Sequence, residues 1–144
     1  MHDYELNRFI KAQDGVYSRV ITELKSGRKQ SHWMWFVFPQ IQGLGRTVKS
    51  RHYAIQDLNE ARAYLAHPLL GDRLNECTDL VLMHRQKTPS ELFVYPDDLK
   101  FHACMTLFEL ADVSPDSVFH EALQQFFAGV PHQLLIIVNS VLNR

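Results

Sequence analysis

The stretch SHWMWFVFPQIQGLGRTVKSRHY, Ser31 to Tyr53, holds both tryptophans and an unbroken run of six apolar side chains, Trp33 to Phe38. Such a run fits a fully buried strand as well as a short helix. A strand needs a hydrogen-bonding partner, and nearly every other segment reads helical, so the run is expected to be a short buried helix stopped before Pro39. Gly43, Gly45, Arg46, Lys49 and Arg51 follow, and no core requires them there. The periodicity is lost from Pro39 to Ser50, which reads as a loop whose backbone amides can approach a ligand closely.

On the N-terminal side, Leu6, Phe9 and Ile10, then Val16, Tyr17, Val20, Ile21 and Leu24, recur at helical spacing. Asp14 is placed to cap the second segment and Gly27 to end it, and Ser31 is placed to cap the next. On the C-terminal side, Ser50 reads as the cap of a turn bearing Tyr53 and Ile55. Asp57 with Glu60 begins a helix in the manner of a capping box, and Pro68 suits the first turn of another. Thr88-Pro89-Ser90-Glu91, Pro96-Asp97-Asp98 and Ser114-Pro115-Asp116 are three more helix starts, the last leading to a helix closed by Gly129. Leu134, Leu135, Val138, Val141 and Leu142 predict a final helix. The expected fold is all-α: one domain over residues 1–144, a compact bundle of about seven to nine short helices.

Apolar content of 46% and charged content of 22% are those of a globular chain. A chain of this size buries about 68–70% of its extended surface without staples. No apolar run approaches the roughly 18 residues that span a bilayer. Residues 1–10 lack a basic region followed by an apolar one. With Cys77 and Cys104 as the two thiols, a reducing cytoplasm is the expectation, and each cysteine reads as a buried structural one. A monomer that does not bind membranes is expected.

The net charge of −1 conceals an asymmetry. Between Lys25 and Gln56 stand six cations and no acid, while the remainder carries nine cations and sixteen acids. A protein that grips a long nucleic-acid backbone is more often basic throughout, which counts against that class here. Confined positive charge suits a pocket for a small anion or a patch for an acidic partner. The alternative is that these cations pair with acids such as Asp57, Asp97 and Asp98.

The strings HWMWFVFPQ (His32 to Gln40), GLG (Gly43 to Gly45), RHYAI (Arg51 to Ile55), EARAYLAHPLLGDRL (Glu60 to Leu74) and PDDLKFHACMTLF (Pro96 to Phe108) resemble one bacterial family, domain of unknown function family 1810. The resemblance runs from about Leu6 to Gly129 and implies a compact all-helical domain without implying a reaction. Some members carry the label calpastatin. That inhibitor is a disordered repeat protein, whereas this composition is globular, so the label does not transfer. The chain departs from the family's pattern at Phe101-His102-Ala103-Cys104 and in its strongly apolar C-terminal segment.

Of eight histidines none lies four residues from another, and the cysteines are 27 residues apart, so no metal site is expected. No cofactor is expected either, since Gly43-Leu44-Gly45 is only a fragment of a dinucleotide fingerprint and lacks a preceding strand. With Arg46, Lys49 and Arg51 it becomes an anion cradle, set against the plainer reading as a structural turn. Trp33 and Trp35 read first as core, and as ring platforms if one edge stays open, with Gln40 or His32 to orient a ligand. His32 and His52 bracket the cationic loop and are the candidate acid or base groups. Asp97, Asp98 and Lys100 form a second polar cluster at a helix start, where Asp97 or Asp98 reads first as a cap. With Tyr53 these residues define one expected cleft for a small anionic, nucleotide-like metabolite. The competing readings are a module docking an acidic partner through the Arg46–Arg51 loop, and an enzyme acting on a nucleotide or sugar phosphate with a histidine base.

Overall fold

A computed structural model describes residues 4–133, and within them the chain forms nine helices and no strand. They are α1 (Asn7–Asp14), α2 (Tyr17–Ser26), α3 (Met34–Val37), α4 (Val48–His52), α5 (Leu58–Ala66), α6 (Pro68–Leu82), α7 (Pro89–Leu92), α8 (Asp97–Ala111) and α9 (Val118–Phe127). The all-α expectation holds, and the Trp33–Phe38 run is the short buried helix α3. The final helix expected over 134–142 lies outside the described residues.

The centre of the fold is α8, which packs against α5, α7 and α9. From Phe101 to Phe108 only His102 is not buried, so this helix is apolar almost all round, as a central helix must be. Phe101 stacks on Phe93 with centroids 4.8 Å apart and meets Phe38 edge-on at 5.2 Å, which fastens α3 and α7 to α8. Helix α6 packs in turn against α2, α5 and α9. Gly71 of α6 passes so close to α5 that a Cβ there would lie 2.2 Å from the carbonyl oxygen of Leu65.

Local signals set several helix ends as read. Gly27 adopts φ +80° and closes α2. The Asp57 side chain accepts the Glu60 N–H, Thr88 and Glu91 form a full capping box, and Pro68 occupies the first turn of α6. Four caps are corrected. Asp14 pairs with Arg73 at 3.1 Å and caps nothing. Ser31 bonds to Glu23, leaving α3 without a side-chain cap. Thr47, not Ser50, caps α4 by accepting the Ser50 N–H at 3.1 Å. Neither Asp97 nor Asp98 caps α8, because Asp97 is held by lysines.

The loop after α3 is pinched at its base by a parallel bridge between Ile41 and Ile55, both buried. The Gln42 N–H donates to the Ile55 carbonyl at 2.8 Å and the Ile55 N–H to the Gln40 carbonyl at 2.8 Å. Everything between, including Gly43, Arg46 and α4, projects from this neck.

Candidate functional site

The site begins at Glu23, a residue that no motif advertised. Gly27 turns the chain back beside α2, and the Glu23 carboxylate then accepts the Gln30 N–H at 2.7 Å, the Ser31 N–H at 3.0 Å, the Ser31 hydroxyl, and the Trp33 indole N–H at 2.9 Å. Burial pushes this carboxyl up, but the hydrogen bonds together outweigh it and bring the pKa down to about 2. The result is a rigid segment from Arg28 to Trp33. The Lys29 N–H anchors it to α7 through the Leu92 carbonyl at 2.9 Å.

That segment, α3, the Val94–Asp97 turn and Lys100 enclose a hollow of about 720 Å³. Lys29 reaches Asp97 at 2.8 Å and Lys100 reaches it at 3.4 Å. Among the described residues Asp97 is the one acid in the lining, against Arg28, Lys29 and Lys100, and His32 stands at the same wall. Half-buried Trp35 supplies the aromatic face, and Tyr95, 73% exposed, stands at the rim. The Lys100 ammonium lies 4.9 Å from the Trp35 ring centre, and the Lys49 ammonium, arriving from α4, lies 5.2 Å from it. The Trp35 indole N–H makes no hydrogen bond among the described residues.

A second hollow, of about 860 Å³, opens on the other side of α4 and collects Gly43, Gly45, Arg46, Arg51 and His52. The single cleft expected from the sequence is therefore divided in two, with Arg46 and Arg51 in one part and Trp35, Asp97 and Lys100 in the other. Lys49 sides with Trp35 while its neighbours Ser50 and Arg51 line the second hollow.

Five expected site residues line neither hollow, Lys49 among them, which reaches the Trp35 ring from α4. Trp33 is 1% exposed, with its N–H committed to Glu23. Tyr53 packs on Phe36 at 5.4 Å and on Phe9 at 6.0 Å. Gln40 serves the neck through its carbonyl. Asp98 has its Oδ1 buried with no hydrogen-bond partner among the described residues. The two glycines also have reasons of their own: Gly43 has φ +98°, and a Cβ on Gly45 would stand 2.4 Å from the Ser50 hydroxyl oxygen.

Arg28, Lys29 and Tyr95 line the first hollow without any motif that marks them as site residues. The first two stood among the six clustered cations, and Tyr95 precedes the Pro96-Asp97-Asp98 helix start. Neither His32 nor His52 pairs with a carboxylate among the described residues, and His52 rests edge-on against Tyr53 at 4.6 Å. Cys77 and Cys104 are buried. No three His, Cys, Asp or Glu side chains among the described residues converge as a metal site would require, and none of their helices is long and apolar enough to cross a membrane.

An all-helical domain whose cationic loop is pinched off between two hollows defines the class. The family described as "Protein of unknown function (DUF1810)" matches residues 3–136, and the chain belongs to it. It is also similar to a solved structure, the crystal structure of the conserved hypothetical protein Rv1873 from Mycobacterium tuberculosis. That protein is 44% identical, with 93% of this chain and 95% of that one covered at a TM-score of 0.89. No curated protein matches the chain.

Proposed function

We propose that the Trp35 hollow binds a small anionic metabolite carrying a flat ring, of the nucleotide-like class. One observation carries the reading: two ammonium groups, Lys49 and Lys100, sit against one half-buried indole at 5.2 and 4.9 Å. Each cation is attracted to the ring by about 0.5–1 kcal/mol at such a site, but the two repel each other. Asp97 is already shared between Lys29 and Lys100, and Lys49 and Arg28 have no acid among the described residues. A phosphate or carboxylate entering the hollow relieves that excess charge, while the indole and Tyr95 offer faces for a ring. The role proposed is binding, since neither candidate histidine pairs with a carboxylate among the described residues.

Trp35 is also the reporter. Trp33 is sealed, so ligand-dependent quenching of indole fluorescence comes from Trp35. Titration with nucleotides, ADP-ribose and dicarboxylates is expected to quench emission and raise the melting temperature, as binding to the folded state alone must. Lys100→Gln weakens both responses and Trp35→Phe removes the quenching. If no anion in that panel alters either signal, or if Lys100→Gln leaves both responses intact, the reading is wrong.

A further inference from the structure

The hollow on the other side of α4 has a different chemistry from the first. Among the described residues its one ring is the His52 imidazole, already packed against Tyr53. Arg8, which also lines it, is fully occupied. Its five N–H groups go to the carbonyls of His52 at 2.9 Å, Tyr4 at 2.7 Å, Glu5 at 3.0 Å and Ala54 at 2.9 Å, and to the Glu60 carboxylate at 3.0 Å. Arg46 and Arg51 are the reverse case. Both are exposed, and neither side chain has a hydrogen bond or ion pair among the described residues.

Two guanidinium forks on one hollow suit the oxygens of a phosphate, which they bind in pairs of parallel hydrogen bonds. The rest of the lining is not built for a bare anion. Glu5 brings a carboxylate that makes no ion pair among the described residues. Gln42 donates its Nε2 to the Gln56 carbonyl at 2.9 Å, which leaves its Oε1 as an acceptor, and the Gln56 side-chain amide has no partner among the described residues. A carboxylate and amides beside the forks recognise hydroxyl groups, because each offers acceptors to an O–H donor. Among the described residues no indole or phenol lines this hollow for a base to stack on.

We propose that this hollow is a second binding site, separate from the Trp35 hollow, for a phosphorylated polyhydroxy compound of the sugar-phosphate class. Arg46 and Arg51 hold the phosphate, and Glu5, Gln42 and Gln56 take the hydroxyls. The short helix α4 keeps the two sites apart, since Lys49 lies on Trp35 while Ser50, Arg51 and His52 face the second hollow.

The probes are ribose 5-phosphate, inorganic phosphate and ribose, read by calorimetric titration and thermal shift on the full chain. Ribose 5-phosphate is expected to bind more tightly than either fragment. Arg46→Gln and Arg51→Gln each weaken it on the order of tenfold, as loss of a charged hydrogen-bonding group does. Glu5→Gln narrows the margin over inorganic phosphate, and Lys100→Gln in the other hollow leaves the titration as in the wild type. The side chains replaced in the second hollow are exposed, so unligated melting temperatures close to wild type establish that those variants fold. Equal binding of inorganic phosphate and ribose 5-phosphate would overturn the sugar-phosphate assignment. Absence of binding, or loss on Lys100→Gln with the arginine variants unaffected, would overturn the site itself.

Discussion

Glu23 and Trp33 are ten residues apart and joined by one hydrogen bond of 2.9 Å, which buries a carboxylate and an indole N–H together under the wall of the first hollow. The same carboxylate holds the amides of Gln30 and Ser31, so one side chain decides where Arg28, Lys29 and His32 stand. Replacing Glu23 by Ala leaves the indole N–H, two amides and a hydroxyl without their acceptor. The expected loss is about 3 kcal/mol of stability, at the level set by unsatisfied buried donors. Chemical denaturation measures it, and a loss within the range of an ordinary surface substitution would contradict the arrangement.

The pH dependence of that bond has a definite sign. Its folded pKa of about 2 lies below the ordinary glutamate value of 4.5. Stability from Glu23 is therefore fully present above about pH 4.5 and is lost as pH falls toward 2. Acid unfolding curves of the wild type and Glu23→Gln should converge across that window.

A second acid-sensitive contact lies near the end of the described chain. His102 stacks on Phe127 at 3.8 Å, bonds the Val130 carbonyl at 2.7 Å, and meets the His132 ring at 5.4 Å. Burial lowers the pKa of both imidazoles; the Val130 bond only partly offsets this at His102, and His102 lowers His132 further. Groups depressed in the folded state add stability above the ordinary histidine value of 6.5, and that stability is lost as pH falls below it. The melting temperature is expected to drop as pH falls below about 6.5, and the drop to shrink in His102→Phe; an unchanged drop in that variant refutes the assignment.

The thiols are predicted to be inert. Burial pushes Cys77 up to about 12 despite the Tyr17 hydroxyl beside it, and it raises Cys104 well above the ordinary thiol value. A thiol reagent should leave the native protein unlabelled and titrate both cysteines in denaturant. Rapid labelling of the native chain would show that one of them is accessible.

Gly71→Ala tests the corner between α5 and α6. The new methyl lies 2.2 Å from a backbone oxygen that no rotamer change can move. The strain, about 1–3 kcal/mol, exceeds the gain in helix propensity of about 1 kcal/mol, so the denaturation midpoint is expected to fall. A rise would mean that the two helices are freer to separate than the geometry allows.

What was legible in the sequence was mostly local. Gly27, Asp57, Pro68 and the Thr88–Glu91 box act within their own turn, and each stands where the residues alone place it. Ser31, Asp14 and Asp97 cap nothing because each finds a partner outside its own turn, Ser31 in nearby Glu23 and the two aspartates in Arg73 and Lys29 far along the chain. The tryptophans show the same limit. Side chains two apart around a helical turn point to nearly opposite sides, so one of Trp33 and Trp35 had to face inward. Which one did so depended on Glu23, an acid without a motif. The cationic stretch was visible as composition, but its division into two hollows depends on the Ile41–Ile55 neck and on α4, which are tertiary features.

The occupied state of Arg8 has a consequence for whatever enters the second hollow. Its guanidinium already bolts residues 4 and 5 to the end of α4, and its charge is balanced by Glu60. That side of the cavity is ordered during folding, so a guest loses no affinity to stiffening it. Mobility, and with it any adjustment to guests of different size, is left to the two outer arginines.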